Sequence, residues 1–474
     1  MLFNSLHFVV YFLITTVFYF VLPHRSRWFF LLAISCYFYM AFKPIYILIL
    51  FFTIVIDYCA GILIESNPGH RKFFLWLSIV VNVGTLCIFK YYNFFNENLT
   101  LALNGLSMEN HLPYLDIILP IGLSFHTFQA MSYTIEVYRG AQKAERHLGI
   151  YAVYVMFYPQ LVAGPIERPQ NMLHQFYERV DFDYDRIVSG LRQMLWGLFK
   201  KVVIADRLAI YVEPVFRYPE HHSGISSLVA ALFFTIQIYC DFSGYSDIAI
   251  GSARVLGFKL MTNFSFPLFS RSITEFWRRW HISLSTWFND YLFTPTITTL
   301  RNWGTGAIVF GLFLTFFLSG VWHGAGWNYI VFGLVHGVAM IYEFLTRKKR
   351  KKLFKKLPLW LNESLSLLIT LFYVMLAFIF FRAHNMSNAF SLIKNIVGFK
   401  SGSLFIGNAA GFAYSILAIL LLIVSEYNEK VLENKYTLLY NNNTLLRRTG
   451  YAFLILTILM IGVFNGGQFI YFQF

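Results

Sequence analysis

Residues 303–346 read WGTGAIVFGLFLTFFLSGVWHGAGWNYIVFGLVHGVAMIYEFLT. Two apolar stretches, 303–322 and 327–346, stand on either side of a short connection that contains His323, Gly324 and Gly326. Each stretch is long enough to cross a hydrocarbon layer of about 30 Å, because a helix rises about 1.5 Å per residue. The stretch therefore predicts two membrane-spanning helices joined by a tight turn.

Apolar stretches of this kind recur along the whole chain. Of its 474 residues, 57% are hydrophobic, 20% are aromatic and only 13% are charged, and the mean hydropathy is +0.56. Soluble domains carry about 25% charged residues, so we exclude a soluble enzyme, a disordered chain and a fibrous repeat. We predict an all-α polytopic integral membrane protein with about 11–12 transmembrane or re-entrant helices, near residues 5–22, 28–42, 45–64, 73–89, 115–136, 148–163, 225–240, 303–322, 327–346, 364–381, 411–426 and 451–464.

The region between about 165 and 300 has a different pattern, in which charged residues alternate with aromatic ones. Apolar positions in 186–201 recur at helical spacing, which predicts an amphipathic helix at the membrane interface. The sequence contains neither an internal repeat nor a low-complexity linker. We therefore predict one integral membrane domain that covers residues 1–474.

The positive net charge of +14 has a simple explanation in a membrane protein. Lys and Arg accumulate in cytoplasmic loops, and the run 347–356 (RKKRKKLFKK) is the densest such cluster. Smaller basic clusters follow the first, third and fifth predicted spans. We expect these loops to be cytoplasmic and the N-terminus to lie outside, with contacts to anionic membrane lipids as a second role. This interpretation is preferred over nucleic-acid binding.

Ionisable side chains at membrane depth are costly and indicate function. The first block of them is QIYCDFSGYSD (237–247), in which Asp241 and Tyr245 are four residues apart and share one helix face. These two side chains are candidates for lining a polar path. The alternative is a polar packing network that fixes a helix kink at Gly244.

The second block is TEFWRRWHISLSTW (274–287). Its tryptophans and arginines are typical of an interface, and Glu275 can pair with an arginine at helical spacing. His281 follows Trp277 by one turn, so this indole could shape its surroundings. Trp280 lies between them. The alternative role of His281 is a structural hydrogen bond.

The third block is LSGVWHGAGW (318–327), followed by GLVHG (333–337). Its candidate residues are Trp322, His323 and His336. A histidine is suited to act as general base toward a hydroxyl or a thiol. The alternatives are buried core histidines and glycine pairs that serve close helix packing.

The sequence lacks the motifs of several other enzyme classes. It contains no G-x-S-x-G, P-loop, G-x-G-x-x-G or H-E-x-x-H motif. No two of the four cysteines form a CxxC pair. A serine hydrolase, an ATPase, a Rossmann enzyme and a zincin thus have no support, and no metal site is expected.

The three blocks resemble the membrane-bound O-acyltransferase family, and within it the bacterial branch that acts in alginate O-acetylation. The stretches that carry the resemblance are LPIGLSFHTFQAMSYTIEVYRG (119–140), LVAGPIERP (161–169), QIYCDFSGYSDIAIG (237–251), FPLFSRSITEFWRRWHISLSTWFNDYLFTP (266–295), SGVWHGAGWNYIVFGLVHG (319–337), FFRA (380–383) and GGQFIYFQF (466–474). The resemblance extends over almost the whole chain, with a catalytic core expected at about 115–385.

The resemblance implies a helical bundle around a tunnel, with an acyl donor that arrives from the cytoplasmic side. It also implies that His323 is catalytic and that His281 occupies a second polar position. In the resulting hypothesis, His323 removes the proton of an acceptor hydroxyl and His281 orients or polarises the acyl carbonyl. Trp277, Trp280, Trp322, Asp241, Tyr245 and His336 would line the substrate path, and the tryptophans would exclude water.

We therefore expect a membrane-bound O-acyltransferase of the bacterial cytoplasmic membrane that passes acetyl groups to an extracytoplasmic polysaccharide. The donor would be acetyl-CoA or another acyl thioester, without a permanently bound cofactor, and a separate extracytoplasmic acyltransferase would act as partner. The alternatives are D-alanyl transfer to teichoic acid and O-acetylation of peptidoglycan. A transporter or flippase without chemistry is a more distant alternative, since the repeats expected of one are missing.

Overall fold

The computed structural model describes residues 1–162, 164–432, 439, 441–464 and 469–470. Within these ranges the regular structure is helical and no strand is present, which confirms the all-α prediction. Of the terminal stretch 466–474 only Phe469 and Ile470 are described, and Ala163 also lies outside the described residues. The α-helices are α1 (Leu6–Val21), α2 (His24–Met40), α3 (Ile47–Ser66), α4 (Arg71–Leu86), α5 (Tyr92–Asn104), α6 (Leu123–Arg139), α7 (Leu148–Met156), α8 (Tyr158–Leu161), α9 (Pro169–Met172), α10 (Tyr184–Phe199), α11 (Asp206–Arg217), α12 (Gly224–Val255), α13 (Ile273–Arg279), α14 (Ile282–Phe288), α15 (Thr294–Thr299), α16 (Thr305–His323), α17 (Trp327–Phe354), α18 (Leu359–Arg382), α19 (Met386–Val397), α20 (Ala409–Val431) and α21 (Thr444–Ile461).

The chain forms two compact units. Unit 1 consists of residues 1–194 and 248–261, and unit 2 consists of residues 195–247 and 262–474. All eight predicted site residues belong to unit 2. The core of unit 2 is formed by apolar side chains from α11, α12, α13 and α16–α19, with contributions from α20 and α21. The prediction of one continuous membrane domain stays a prediction.

Eight helical segments of the described chain are long and apolar enough to cross a membrane. They are Pro44–Ser66, Arg71–Asn104, Gly224–Val255, Thr305–His323, Trp327–Phe354, Leu359–Arg382, Ala409–Val431 and Thr444–Ile461, and α1 is a shorter apolar helix. Their exposed faces carry large apolar side chains, as is expected of surfaces that contact lipid. The chain is thus a multi-pass membrane protein.

Two of the predicted spans were wrong in extent. The span 115–136 begins as non-helical chain, because Pro120 and the left-handed Gly122 delay the start of α6 to Leu123. The span 148–163 is divided into α7 and the single turn α8, which begins beside Pro159. With 9 residues, α7 is about 13 Å long and too short to cross a bilayer.

The basic run 347–356 is mostly helical, although its composition suggested a loop. Helix α17 continues through Arg350 and ends only at Phe354, because Lys and Arg are good helix formers and the first proline is Pro358. At 28 residues, α17 is about 42 Å long. It therefore extends well beyond a hydrocarbon core of about 30 Å, and its excess length is basic.

The predicted interfacial helix 186–201 is α10, which ends at Phe199. It is followed by a π-helical segment, Lys200–Ala205, in which both lysines are buried. Lys201 pairs with Asp206 and Asp241, and Lys200 pairs with Asp247. The prediction that these lysines lie at an interface was wrong, because their charges are neutralised by carboxylates inside unit 2.

The orientation of α17 generates a prediction on topology. In a variant from which Cys36, Cys59, Cys87 and Cys240 have been removed, a cysteine at the exposed Lys349 should resist an impermeant thiol reagent in intact cells. The physical reason is that a dense positive run opposes translocation. A cysteine at the exposed Glu109, in the connection predicted to lie outside, is the matched control and should react. Efficient labelling at position 349 together with protection at position 109 would contradict the predicted orientation.

Candidate active site

Helices α16 and α17 form the hairpin that the sequence predicted. His323 is the last residue of α16, and Gly324–Gly326 connect it to Trp327. A Cβ atom at Gly320 or Gly333 would collide with the backbone of the other helix. The close packing expected for these glycine pairs is therefore confirmed, since only the lack of side chains lets the two backbones approach.

His323 is buried within a group of aromatic rings. Its imidazole centroid lies 5.0 Å from the ring of Trp322, 5.6 Å from that of Phe332 and 5.3 Å from that of Phe381. Phe381 belongs to the FFRA stretch at the end of α18. These rings limit the access of water to the imidazole.

His281 lies between α13 and α14 in an unusual backbone conformation. Its φ is +44°, in the left-handed region, and it precedes the first residue of α14. Its Nδ1 is 3.2 Å from Oδ1 of Asn263. The ring of Phe242 packs edge-on against the imidazole at 4.6 Å.

Trp322 brings the two catalytic candidates to one place. Its indole lies 6.3 Å from the ring of His281 and 5.0 Å from that of His323. The tryptophan beside His281 is therefore Trp322, which comes from another helix. Helix α13 ends at Arg279, so the chain turns before it reaches His281 and Trp277 faces elsewhere.

Trp277 packs against His336 of α17, at 5.0 Å between the ring centroids. Its Nε1 donates to Nδ1 of His336 over 3.3 Å. The rings of Phe316 and Phe332 also surround this histidine. An indole only donates, so His336 accepts at Nδ1 and carries its proton on Nε2. This Nε2 has no hydrogen-bond partner among the described residues.

The remaining candidates lie in the core of unit 2. Asp241 pairs with Lys201 over 2.7 Å and accepts from the backbone N–H of Ile470 over 2.8 Å. Tyr245 stacks on Phe469 at 4.4 Å. Trp280 is buried among the rings of Phe264, Phe276 and Phe378.

The helix kink that the alternative interpretation places at Gly244 stays a prediction. Helix α12 is α-helical across this position, and a Cβ atom there would press against the carbonyl oxygen of Gly197. Gly244 thus allows close packing of two helices. The ion pair of Asp241 fits the alternative of a polar packing network.

A cavity of about 820 Å³ is lined mainly by α13, α14, α16 and α17. At the end formed by the basic part of α17 its lining includes Arg347 and Arg350, and Arg278 of α13 also lines it. The lining is otherwise mainly apolar, and toward the turn of the hairpin it includes Ser319, with Ile282 of α14 also in the lining. Ser319 precedes His323 by one helical turn on the same face of α16, and Ile282 follows His281 directly. The cavity therefore leads from a basic end toward both histidines, and of the eight predicted residues Trp277 lines it.

A buried carboxylate organises the basic end of the cavity. Glu343 accepts hydrogen bonds from the N–H groups of Ile273 and Thr274 at the start of α13. Arg350 lies 3.6 Å from the same carboxylate. Glu343 thus fixes α13 on α17 and uses one of the three arginines as its partner. Within the described chain, no group of three His, Cys, Asp or Glu side chains could hold a metal ion.

The blocks that form this site coincide with a known family. The sequence pattern of MBOAT, the membrane-bound O-acyltransferase family, matches residues 123–383. The chain belongs to this family. All eight predicted site residues lie within the matched range, and the MBOAT assignment makes the chain an acyltransferase.

Three relatives illustrate the acceptors that similar chains are named for. The chain is 36% identical over 398 residues to the probable alginate O-acetylase AlgI of Pseudomonas aeruginosa, which covers 81% of this chain and 72% of the relative. It is 34% identical over 405 residues to the peptidoglycan O-acetyltransferase of Helicobacter pylori, with 78% and 73% covered. It is 29% identical over 284 residues to the teichoic acid D-alanyltransferase of Bacillus subtilis, with 58% and 71% covered.

Sequence reasoning missed Asn263, Glu343 and the buried lysines. Each acts through a partner that is distant in sequence, such as Asn263 through His281 and Glu343 through Thr274. Spacing within one helix gives no signal for such pairs. For Glu343, the carboxylate just before a basic run in an apolar helix was the only available hint.

Proposed function

We propose that this MBOAT protein takes an acetyl group from a cytoplasmic thioester and passes it across the bacterial cytoplasmic membrane for O-acetylation of an extracytoplasmic polysaccharide. The observation that carries the proposal is the cavity, which joins a basic end to Ser319 and Ile282 beside the two histidines. An acyl thioester that entered at the arginines would have its carbonyl near His323.

The basic end has the chemistry to bind the donor. Arg278 and Arg347 are exposed and form no ion pair within the described part of the chain, whereas Arg350 is shared with Glu343. Guanidinium groups bind phosphate oxygens in a fork geometry. Coenzyme A and phosphopantetheine thioesters carry such phosphates, and the apolar walls suit the pantetheine arm.

The proposed reaction is a single acyl transfer, in which the proton removed from the acceptor hydroxyl is passed to the leaving thiolate. His323 takes the proton of the acceptor hydroxyl while the oxygen attacks the thioester carbonyl. The tetrahedral intermediate expels the thiolate, which then receives the proton from His323. The C–S bond is broken, the ester C–O bond is formed, and the free thiol leaves by the cavity. His281 orients the reacting groups, and the surrounding rings exclude water.

The relatives with the wider coverage support the choice of acceptor class. The named alginate and peptidoglycan O-acetylating relatives cover 81% and 78% of this chain, and the D-alanyl-transferring relative covers 58%. This difference favours O-acetylation over D-alanylation. Alginate and peptidoglycan are both candidate acceptors, and alginate-like polysaccharide is preferred because its relative has the higher identity.

A partner protein outside the membrane completes the proposal. The connections between the helices of the described chain are too short to form a carbohydrate-binding domain. We expect purified chain in nanodiscs, given only acetyl-CoA and polymer, to leave the polymer largely unacetylated, while native membranes acetylate it. Base-labile acetyl label in the polymer is the readout, and full acetylation by the purified chain would contradict the need for a partner.

The histidines provide the decisive test of the site. In native membranes supplied with acetyl-labelled CoA, His323→Ala should lower acetyl transfer by about 10²–10⁴-fold, because a positioned acid–base group is lost. His281→Ala should cost less, and His336→Ala least. His221→Ala, at an exposed position outside the cavity lining, is the control. Rates are compared at matched amounts of inserted protein. Near-normal transfer in His323→Ala with complete loss in His336→Ala would contradict the assignment.

The arginine end is tested by separating donor binding from chemistry. The double variant Arg278→Ala/Arg347→Ala should raise KM for acetyl-CoA about 10-fold or more with little change in kcat, since each charged hydrogen bond is worth about 1.5–3 kcal/mol. The phosphate-free donor S-acetyl-N-acetylcysteamine should be used equally well by variant and parent. Lys349→Ala is the control, because Lys349 is exposed on α17, as Arg347 is, but lies outside the cavity lining. Equal losses with both donors would refute phosphate binding at these arginines.

A further inference from the structure

Asn263 is a buried side chain whose amide orientation is fixed by its neighbours. Its Oδ1 accepts from the backbone N–H of Ser283 over 3.2 Å and from the Ser283 hydroxyl over 2.9 Å. Its Nδ2 donates to Oγ of Ser246 over 3.3 Å. A backbone N–H can only donate, so the atom that faces Ser283 must be the oxygen of the amide.

This orientation determines the tautomer of His281. The imidazole Nδ1 lies 3.2 Å from the same amide oxygen. The Ser283 hydroxyl, 3.5 Å from Nδ1, already gives its hydrogen to Asn263. Both neighbours of Nδ1 are therefore acceptors toward the ring, and Nδ1 must carry the proton. In neutral His281, Nε2 then bears the lone pair.

The backbone around His281 is held by the same residue. The N–H of Ile282 donates to the carbonyl oxygen of Asn263 over 2.9 Å. A left-handed conformation costs a residue other than glycine about 1–2 kcal/mol, and it persists where surrounding contacts determine it. Asn263 supplies such contacts through its backbone and its side chain, on both sides of the imidazole.

We propose that Asn263 is a positioning residue, which keeps His281 in the Nδ1–H tautomer so that Nε2 accepts a hydrogen bond from the acceptor hydroxyl. The inference rests on the proposed acyl transfer and deepens it. A lone pair on Nε2 repels a carbonyl oxygen and cannot polarise it. The tautomer therefore argues against the expected action of His281 on the acyl carbonyl and favours orientation of the hydroxyl that His323 deprotonates.

The competing explanation is that Asn263 only fixes the start of α14. Its bond to the Ser283 N–H satisfies one of the free donors at a helix N-terminus. A purely structural role would respond to the loss of any one of these bonds. A positioning role depends only on whether a hydrogen-bond acceptor faces Nδ1 of His281. The variants below distinguish the structural role from the positioning role.

The first measurement needs no variant at Asn263. Full-length chain in nanodiscs is labelled with ¹⁵N-histidine, and the His281 signals are assigned by their loss in His281→Gln. At neutral pH we expect a protonated Nδ1 and an unprotonated Nε2. A His281 that carries its proton on Nε2 would overturn the inference, whatever the activity of the protein.

Three variants then connect the tautomer with transfer. Asn263→Ala removes the acceptor and should populate the Nε2–H tautomer, with kcat about 10–100-fold lower and KM for acetyl-CoA unchanged. Asn263→Asp keeps an oxygen opposite Nδ1 and should keep the tautomer. Ser283→Ala leaves the amide in place and is the matched control, which should resemble the parent in both readouts.

The pH profile supplies a readout that a structural role would not change. In Asn263→Asp the added negative charge stabilises the protonated imidazole of His281. More alkaline conditions are therefore needed to keep Nε2 unprotonated. The acid side of the kcat profile should therefore move to higher pH by about one pH unit. An unchanged profile in Asn263→Asp, or equal losses in Asn263→Ala and Ser283→Ala, would overturn the inference.

The two readouts also separate this inference from the proposed function. If the ¹⁵N signals show the expected tautomer and its loss in Asn263→Ala, but transfer stays normal, the positioning role in catalysis is refuted and the assignment of His323 is unaffected. If His323→Ala retains transfer while the ¹⁵N signals behave as expected, the proposed function of the site fails and the tautomer control by Asn263 stands.

Discussion

The contact between Gly320 and Gly333 is the constraint on which the arrangement of the site depends. Between apolar helices in lipid, close backbone approach provides the packing that hydrophobic burial provides in water. Because neither position has a side chain, α16 and α17 lie against each other close to their turn. The turn can then be as short as Gly324–Gly326, and His323 is held at the end of a rigid helix.

The same hairpin separates the two ends of the cavity. From Trp327 to Arg347, α17 rises about 30 Å, which matches the thickness of a hydrocarbon core. Arg347 and Arg350 therefore lie at the opposite end of the hairpin from His323. This distribution of charge supports the proposed donor, which has an anionic head and an apolar arm.

Two buried charges of unit 2, Lys201 and Glu343, are each held by counter-charges or fixed dipoles. Lys201 is held by two aspartates, and Glu343 is held by two backbone N–H groups and Arg350. Unpaired charges at this depth would cost several kcal/mol. The histidines are different, since a neutral imidazole can be buried among aromatic rings at a smaller cost. In the proposed mechanism this leaves His323 able to take up and release a proton.

The sequence by itself determined the membrane class, the helical fold, the tight turn at His323 and the MBOAT resemblance, because each of these depends on local composition, periodicity or contiguous motifs. It could not determine that Trp322 stands between His281 and His323, that Asn263 faces Nδ1 of His281, or that Lys201 is buried, because these pairs are joined across the fold. It also failed where proline and glycine interrupted apolar runs and where lysine and arginine extended a helix beyond its apolar part. Local pattern fixes which segments become helices. Only the packing of those helices determines which polar atoms come into contact, and the chemistry of the site depends on these contacts.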